Sequence, residues 1–194
     1  MAVTPSNMMP IGTIAPHFTL LDTVSGTYQS LSDLKSNSVT VVMFICNHCP
    51  FVVYIQDKLI EVAQKYKAQG VSFIAISANN IETHPQDGPK YMTNHAREAG
   101  FCFPYLYDET QAVAKAYDAA CTPDFYVFNA ELKCVYRGQF DASRPGNDQS
   151  ITGKDLSRAI ELAQKGEMIP EKEQRPSQGC NIKWKVELST IKSV

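Results

Sequence analysis

The sequence predicts an α/β domain, a mixed sheet flanked by helices, and three observations predict it. Two short apolar runs without alternation, at 39–45 (VTVVMFI) and 71–77 (VSFIAIS), suit central strands covered on both faces. Between them Ile55, Leu59, Val62, Ala63 and Tyr66 recur at helical spacing and Gly70 supplies a stop, so the stretch reads as a βαβ unit with a right-handed crossover. Further on, alternating runs at 125–128 and 134–140, joined by Asn129-Ala130-Glu131-Leu132, read as a hairpin.

The remaining elements follow in order. His17-Phe18-Thr19-Leu20-Leu21, the turn Ser25-Gly26 and a second strand at Tyr28 give an N-terminal β-hairpin. The first core strand hands over to a helix at 51–69. A loop rich in Pro, Gly and Asn spans 79–89, followed by a short helix at 90–99 and a short strand at 103–107. A helix at 110–119 turns Ala112, Val113, Ala116 and Tyr117 inward before Thr122-Pro123 interrupts it. The last helix, 153–165, faces the core with Leu156, Ala159, Ile160 and Ala163. Residues 1–166 thus read as one domain. The remainder, 167–194, is charged and proline-bearing, then Asn181-Ile182-Lys183-Trp184-Lys185-Val186, and is expected as a C-terminal arm or strand packed on that domain.

At 194 residues with 44% hydrophobic content, the chain can bury a core without staples. Its net charge of −2 leaves no electrostatic footprint for nucleic acid or an acidic membrane surface. No apolar run approaches the roughly 20 residues of a membrane span. Residues 1–16 carry Pro5, Pro10 and Pro16 and no basic stretch ahead of an apolar one, so a cytoplasmic, reducing setting is expected.

Six cysteines are too few for a disulfide scaffold, so their positions matter more than their number. Cys46-Asn47-His48-Cys49-Pro50 stands where a core strand gives way to a helix. Unpaired N–H groups and the positive end of the helix dipole stabilise a thiolate there. Two intervening residues keep the second sulfur within one turn, so a mixed disulfide can be resolved intramolecularly. Pro50 fits the first turn, and a protonated His48 adds positive charge. Structural zinc wants a second close pair of ligands, which Cys102, Cys121, Cys134 and Cys180 do not provide.

These residues resemble the thioredoxin superfamily, specifically its redoxin branch, the peroxiredoxin-like alkyl hydroperoxide reductase/thiol-specific antioxidant (AhpC/TSA) group. The likeness rests on the entry Gly12-Thr13-Ile14-Ala15-Pro16-His17-Phe18, on Ser30-Leu31-Ser32-Asp33-Leu34, on the strand-CxxC-helix and on Ala120-Cys121-Thr122-Pro123-Asp124-Phe125. Pro176-Ser177-Gln178-Gly179-Cys180-Asn181-Ile182-Lys183-Trp184-Lys185 adds to it. The resemblance implies a thioredoxin-like three-layer α/β/α fold and a redox-active disulfide, with no other cofactor. It implies Cys46 as the exposed nucleophile and Cys49 as the resolving thiol. It also implies a cis Pro123 presenting Thr122 backbone groups to a thiol or disulfide substrate, and a thioredoxin- or glutathione-type reductant. His48 before the second cysteine is similar to disulfide isomerases and oxidases, which lie at about −120 to −180 mV against about −270 mV for thioredoxin.

The chain departs from the peroxiredoxin pattern Pro-x-x-x-Thr-x-x-Cys: counting back from Cys49, Cys46 stands in the Thr place and Val42 in the Pro place. A hydroperoxide reductase built on Cys49 or Cys46 with Arg137 is the nearest rival to disulfide exchange. Cys121 and Cys180 are candidates for further redox thiols, and Cys102 and Cys134 read as core residues. A third class is a copper-binding chaperone using Cys46, His48, Cys49 and Cys121, with His84 or His95 as a distant ligand. The loop 141–147, with Arg144 and Pro145, flanks the site without a role that its sequence assigns.

Overall fold

The run 39–45 takes the interior position that its unbroken hydrophobicity requires. A computed structural model describes residues 3–186; residues 1–2, and 187–194 of the expected C-terminal arm, lie outside the described residues. In chain order the elements are β1 (Val3–Pro5), β2 (Thr19–Asp22), β3 (Thr27–Ser30), α1 (Leu31–Leu34), β4 (Thr40–Phe44), α2 (Pro50–Lys67) and β5 (Ser72–Ser77). Then come α3 (Pro89–Ala99), β6 (Tyr105–Tyr107), α4 (Ala112–Ala116), β7 (Cys121–Thr122), β8 (Asp124–Phe128), β9 (Cys134–Gly138), α5 (Lys154–Gln164) and β10 (Gln178–Asn181).

The larger sheet runs β3-β2-β6-β5-β4-β8-β9. β4 is parallel to β5 and antiparallel to β8, with Val42 opposite both Ile74 and Tyr126. The hairpin β2–β3 joins antiparallel through β6, so the sheet is mixed. Successive β4 side chains point to opposite faces. Val41 and Met43 pack with Leu59 of α2, Met92 of α3 and Ile160 of α5. Val42 and Phe44 pack with Leu31 of α1, Val113 of α4 and Tyr117. Two cores on two faces make the three layers, and each buried aliphatic side chain stabilises them by about 1.5–3 kcal/mol. No described helix is long and apolar enough to cross a membrane.

The structure adds β1, α1 and β7 to the expected elements, exposes Ala112 and Ala116, which were expected to face inward, and shifts two further elements. The helix expected at 110–119 contracts to α4 because left-handed residues bracket it, Gln111 at φ 63° and Asp118 at φ 52°. Gln111 is held there by its own amide, which donates to the carbonyls of Ala78 and Lys183 at 2.6 and 2.8 Å. The C-terminal strand lies at Gln178–Asn181 rather than within 181–186. Beyond it, side-chain amides replace a strand partner: Asn79 Oδ1 and Gln111 Oε1 each accept a backbone N–H, from Lys183 and Lys185, at 2.8 Å.

β10 is the centre of a small second sheet. Thr4 of β1 lies opposite Gly179, and Thr122 of β7 lies opposite Cys180. Gly179 is required by this approach, since a Cβ there would run into the Thr122 carbonyl oxygen. The last described strand therefore lies directly against the peptide that precedes Pro123.

Candidate active site

The site begins where β4 leaves the sheet. Ile45 N–H still donates to Ile76 O at 3.0 Å, after which residues 46–49 turn outward and Cys49 becomes the N-cap of α2, with Pro50 in the first turn. An α-helix of 18 residues thus points its positive end at Cys49. The Thr122–Pro123 peptide, which is cis, lies across both sulfurs. Cys46 Sγ is 3.6 Å from Thr122 Oγ1, and the Cys49 thiol, when protonated, donates to Thr122 O at 3.1 Å. The pairing of two cysteines with Thr122-Pro123, distant in sequence, is therefore met in space.

The expected exposure of Cys46 is not. Cys46 is 2% exposed and Cys49 0%. The loop after β5 folds back over them, with Asn47 Nδ2 donating to Gln86 O at 2.8 Å, and β10 closes the other side.

Burial and mutual contact shift the two thiols in opposite directions. A hydrogen bond from Cys46 draws the Cys49 pKa down to about 5 against the opposing effect of burial; Thr122 and Cys180 donate to it as well. Cys46 moves the opposite way, well above the ordinary thiol value, because it donates to Cys49, is buried and faces the negative charge of Asp87. The two sulfurs are coupled, so the first proton is lost from the pair as a unit.

Asp87 ends a 3-10 turn, Pro85–Asp87, and is fully buried. Its carboxylate accepts from Asn47 N at 2.9 Å, His48 N at 3.3 Å, Asn79 Nδ2 at 2.9 Å and His48 Nδ1 at 2.6 Å. It therefore fixes the backbone between the two cysteines as well as the imidazole. His48 Nδ1 lies 3.8 Å from Cys46 Sγ, and its ring stacks on His84 at 4.9 Å. Burial, followed by the charge of His48, lowers the His84 pKa. Any positive charge on His48 is matched by Asp87 rather than spent on a sulfur. Ligand-type atoms of Cys46, His48 and Asp87 lie within 4.8 Å of one another. His95, the other distant ligand expected for copper, stands apart and pairs with Gln56 at 2.6 Å.

Other expected residues divide. Cys180 is brought to the site: it is 2% exposed, its thiol and backbone N–H both donate to Cys49, and burial first, then that contact, pushes its own pKa up to about 12. The Cys121 thiol points to Pro123 O at 3.8 Å and is held protonated, chiefly by burial. Arg137, expected at a peroxide site, is not there; its Nη2 pairs with Glu171 at 3.0 Å and its Nη1 with Gln174 at 3.2 Å. Arg144 is the arginine beside Pro123, lining a shallow groove with Phe51, Ile55, Phe140 and Pro145. Cys134 is a core residue, whereas Cys102 is only partly buried.

Sequence reasoning gave no role to Asp87, Asn79 or Arg144. Asp87 sits in a polar loop 38 residues after Cys49 in sequence (87 minus 49), and no spacing rule joins the two.

Directly after Pro123, Asp124 is fully buried, accepts from Tyr126 Oη at 2.9 Å, and its Oδ1 finds no donor among the described residues. Burial raises its pKa to about 7. The folded state keeps this proton to near neutrality, whereas the unfolded chain gives it up near 4. Stability therefore falls as pH rises across that window, by about 4 kcal/mol in all. Urea unfolding across this pH range is expected to show that slope in the wild type and a flatter one in Asp124→Asn.

The chain is matched over residues 11–137 by the AhpC/TSA family. No curated protein matches it. Among solved structures, an uncharacterized conserved protein from Geobacillus kaustophilus is 53% identical, with a TM-score of 0.93 over 95% of this chain and 97% of that one. A hypothetical protein from Sinorhizobium meliloti is 42% identical, with a TM-score of 0.91 over 94% and 99%. A thiol:disulfide interchange protein from Chlorobium tepidum, of the thioredoxin family, is 18% identical with a TM-score of 0.60 over 81% and 99%, a likeness of fold.

Proposed function

The chain belongs to the AhpC/TSA family, the redoxin branch of the thioredoxin superfamily, and from that premise we propose that it is a thiol–disulfide oxidoreductase whose working sulfur is Cys49 and whose resolving thiol is Cys46. One observation carries the reading: both CxxC sulfurs, with Cys49 at the N-cap of α2, lie against Thr122 beside the cis Thr122–Pro123 peptide.

The Cys49 thiolate attacks one sulfur of a substrate disulfide. That S–S bond breaks, a Cys49 mixed disulfide forms, and the departing thiolate takes a proton. Cys46 gives up its proton and attacks Cys49, releasing the second substrate thiol and leaving a Cys46–Cys49 disulfide. A thioredoxin- or glutathione-type reductant returns the two electrons, so sulfur alone carries the redox change and no other cofactor or metal is needed. A reducing compartment such as the cytoplasm keeps the dithiol form at rest. Asp87 holds the 46–49 turn in shape throughout. The groove of Phe51, Ile55, Phe140 and Arg144 beside Pro123 supplies an apolar wall and a cation to the approaching substrate.

A hydroperoxide reductase is the second reading, favoured by one fact: a sulfur that is 0% exposed is reached most readily by a small reactant. Arg137 is engaged elsewhere; Arg144 binds the carbonyls of Asp141 and Ser143 and Gln139 Oε1 through its Nη atoms, while its buried Nε has no partner among the described residues.

The test is a redox titration with quenched-thiol mass spectrometry, run beside disulfide-reduction and peroxide-consumption assays. A reversible two-electron Cys46–Cys49 couple with disulfide reduction is the expected result. Peroxide consumption through a Cys49 sulfenic acid, without disulfide reduction, would move the conclusion to the second reading. The absence of any reversible oxidation at Cys49 would overturn both.

A further inference from the structure

Cys49 has a thiol neighbour on each side. Cys46 approaches from its own turn. Cys180 approaches from β10, which lies antiparallel to β7 so that Cys180 stands opposite Thr122, the residue whose carbonyl faces Cys49 Sγ at 3.1 Å. Gly179 is what lets the strand come this close, and Cys180 is 2% exposed with its thiol in hydrogen-bond contact with Cys49.

We propose that Cys180 is a second resolving thiol, so that the disulfide formed at Cys49 migrates from Cys46 to Cys180 and ties β10 covalently to the N-terminus of α2. This rests on the reading of Cys49 as the redox sulfur. In the step, Cys180 sulfur attacks Cys49 Sγ of the Cys46–Cys49 disulfide. The Cys46–Cys49 bond breaks and a Cys49–Cys180 bond forms. The proton leaving Cys180 ends on Cys46, whose Sγ lies 3.8 Å from His48 Nδ1, and the total oxidation level is unchanged. Formation of the first disulfide removes the Cys49 anion, part of what holds Cys180 protonated, so oxidation itself readies the third thiol. Cys121 is excluded from this exchange because its thiol points to Pro123 O.

The test uses the full chain as Cys46→Ser, oxidised with glutathione disulfide. Cys49 attacks that disulfide and releases one glutathione thiolate; Cys180 then displaces the second glutathione. The expected product, by mass mapping under acid quench, is an intramolecular Cys49–Cys180 disulfide with no retained glutathione, and complete loss of that species in Cys46→Ser/Cys180→Ser. The wild type is expected to show Cys46–Cys49 and Cys49–Cys180 peptides together at equilibrium, the latter absent in Cys180→Ala, which controls for any misfolding of the Cys46 variant. A stable Cys49–glutathione adduct in Cys46→Ser, with a normal Cys46–Cys49 disulfide in the wild type, overturns this proposal and leaves the disulfide-exchange reading standing. Failure of every protein to oxidise at Cys49 overturns both.

Discussion

Cys49→Ser is expected to lower disulfide-reduction turnover on the order of a thousandfold or more, because the anion and every bond it forms vanish together. Cys46→Ser is expected to lose less. Its Cys49 still attacks, and what disappears is the nearer resolving thiol. Steady-state assays of both variants check the difference, with circular dichroism to confirm the fold. A stable mixed disulfide with substrate trapped in Cys49→Ser but not in Cys46→Ser would place the reactive sulfur on Cys46, as the sequence likeness alone implied. The order follows from proton position rather than exposure, since the two sulfurs are 2% and 0% exposed. A thiol that donates its proton to a neighbour is the weaker nucleophile of the two.

Asp87→Ala is expected to destabilise the fold by about 1–3 kcal/mol, the cost of leaving buried donors without their acceptor, and to unlatch the 46–49 turn. Two backbone N–H groups, those of Asn47 and His48, lose their acceptor, and Asn79 and the His48 ring lose theirs. Urea unfolding reads the first effect, and alkylation of Cys46 the second. Asp87→Asn separates geometry from charge. Its carbonyl oxygen can still accept from the two backbone groups, but the negative charge facing Cys46 is gone, so the Cys46 pKa falls toward the ordinary value. An Asp87→Ala protein as stable as wild type would show that the turn is held by something else.

Much of the fold was legible because local pattern and long-range need coincide. A run without polar alternation, such as VTVVMFI, can only be covered on both faces, and it is, by α2 on one side and the cluster around Tyr117 on the other. The CxxC was legible because its position between strand and helix carries its chemistry. What escaped was set by contacts between distant segments. Gln111 adopts a left-handed backbone to aim its amide at residues 78 and 183, a demand invisible in the helical spacing of 110–119. Asp87 belongs to a loop whose composition only says turn. Arg137 stands on a late strand as expected, yet its guanidinium is drawn off by Glu171 and Gln174, and Arg144, in a loop without pattern, takes the place beside Pro123. The C-terminal segment was expected to pack on the domain with Cys180 as a candidate redox thiol, but nothing local announces that Gly179 lets it dock on Thr122.

The ultraviolet thiolate absorbance of the reduced protein, followed against pH, bears most directly on where the charge resides. A thiolate transition centred near pH 5, present in the wild type and lost in Cys49→Ser, is the expected outcome. A wild-type curve with its first transition at the ordinary thiol value of about 8.5, unchanged by Cys49→Ser, would contradict it.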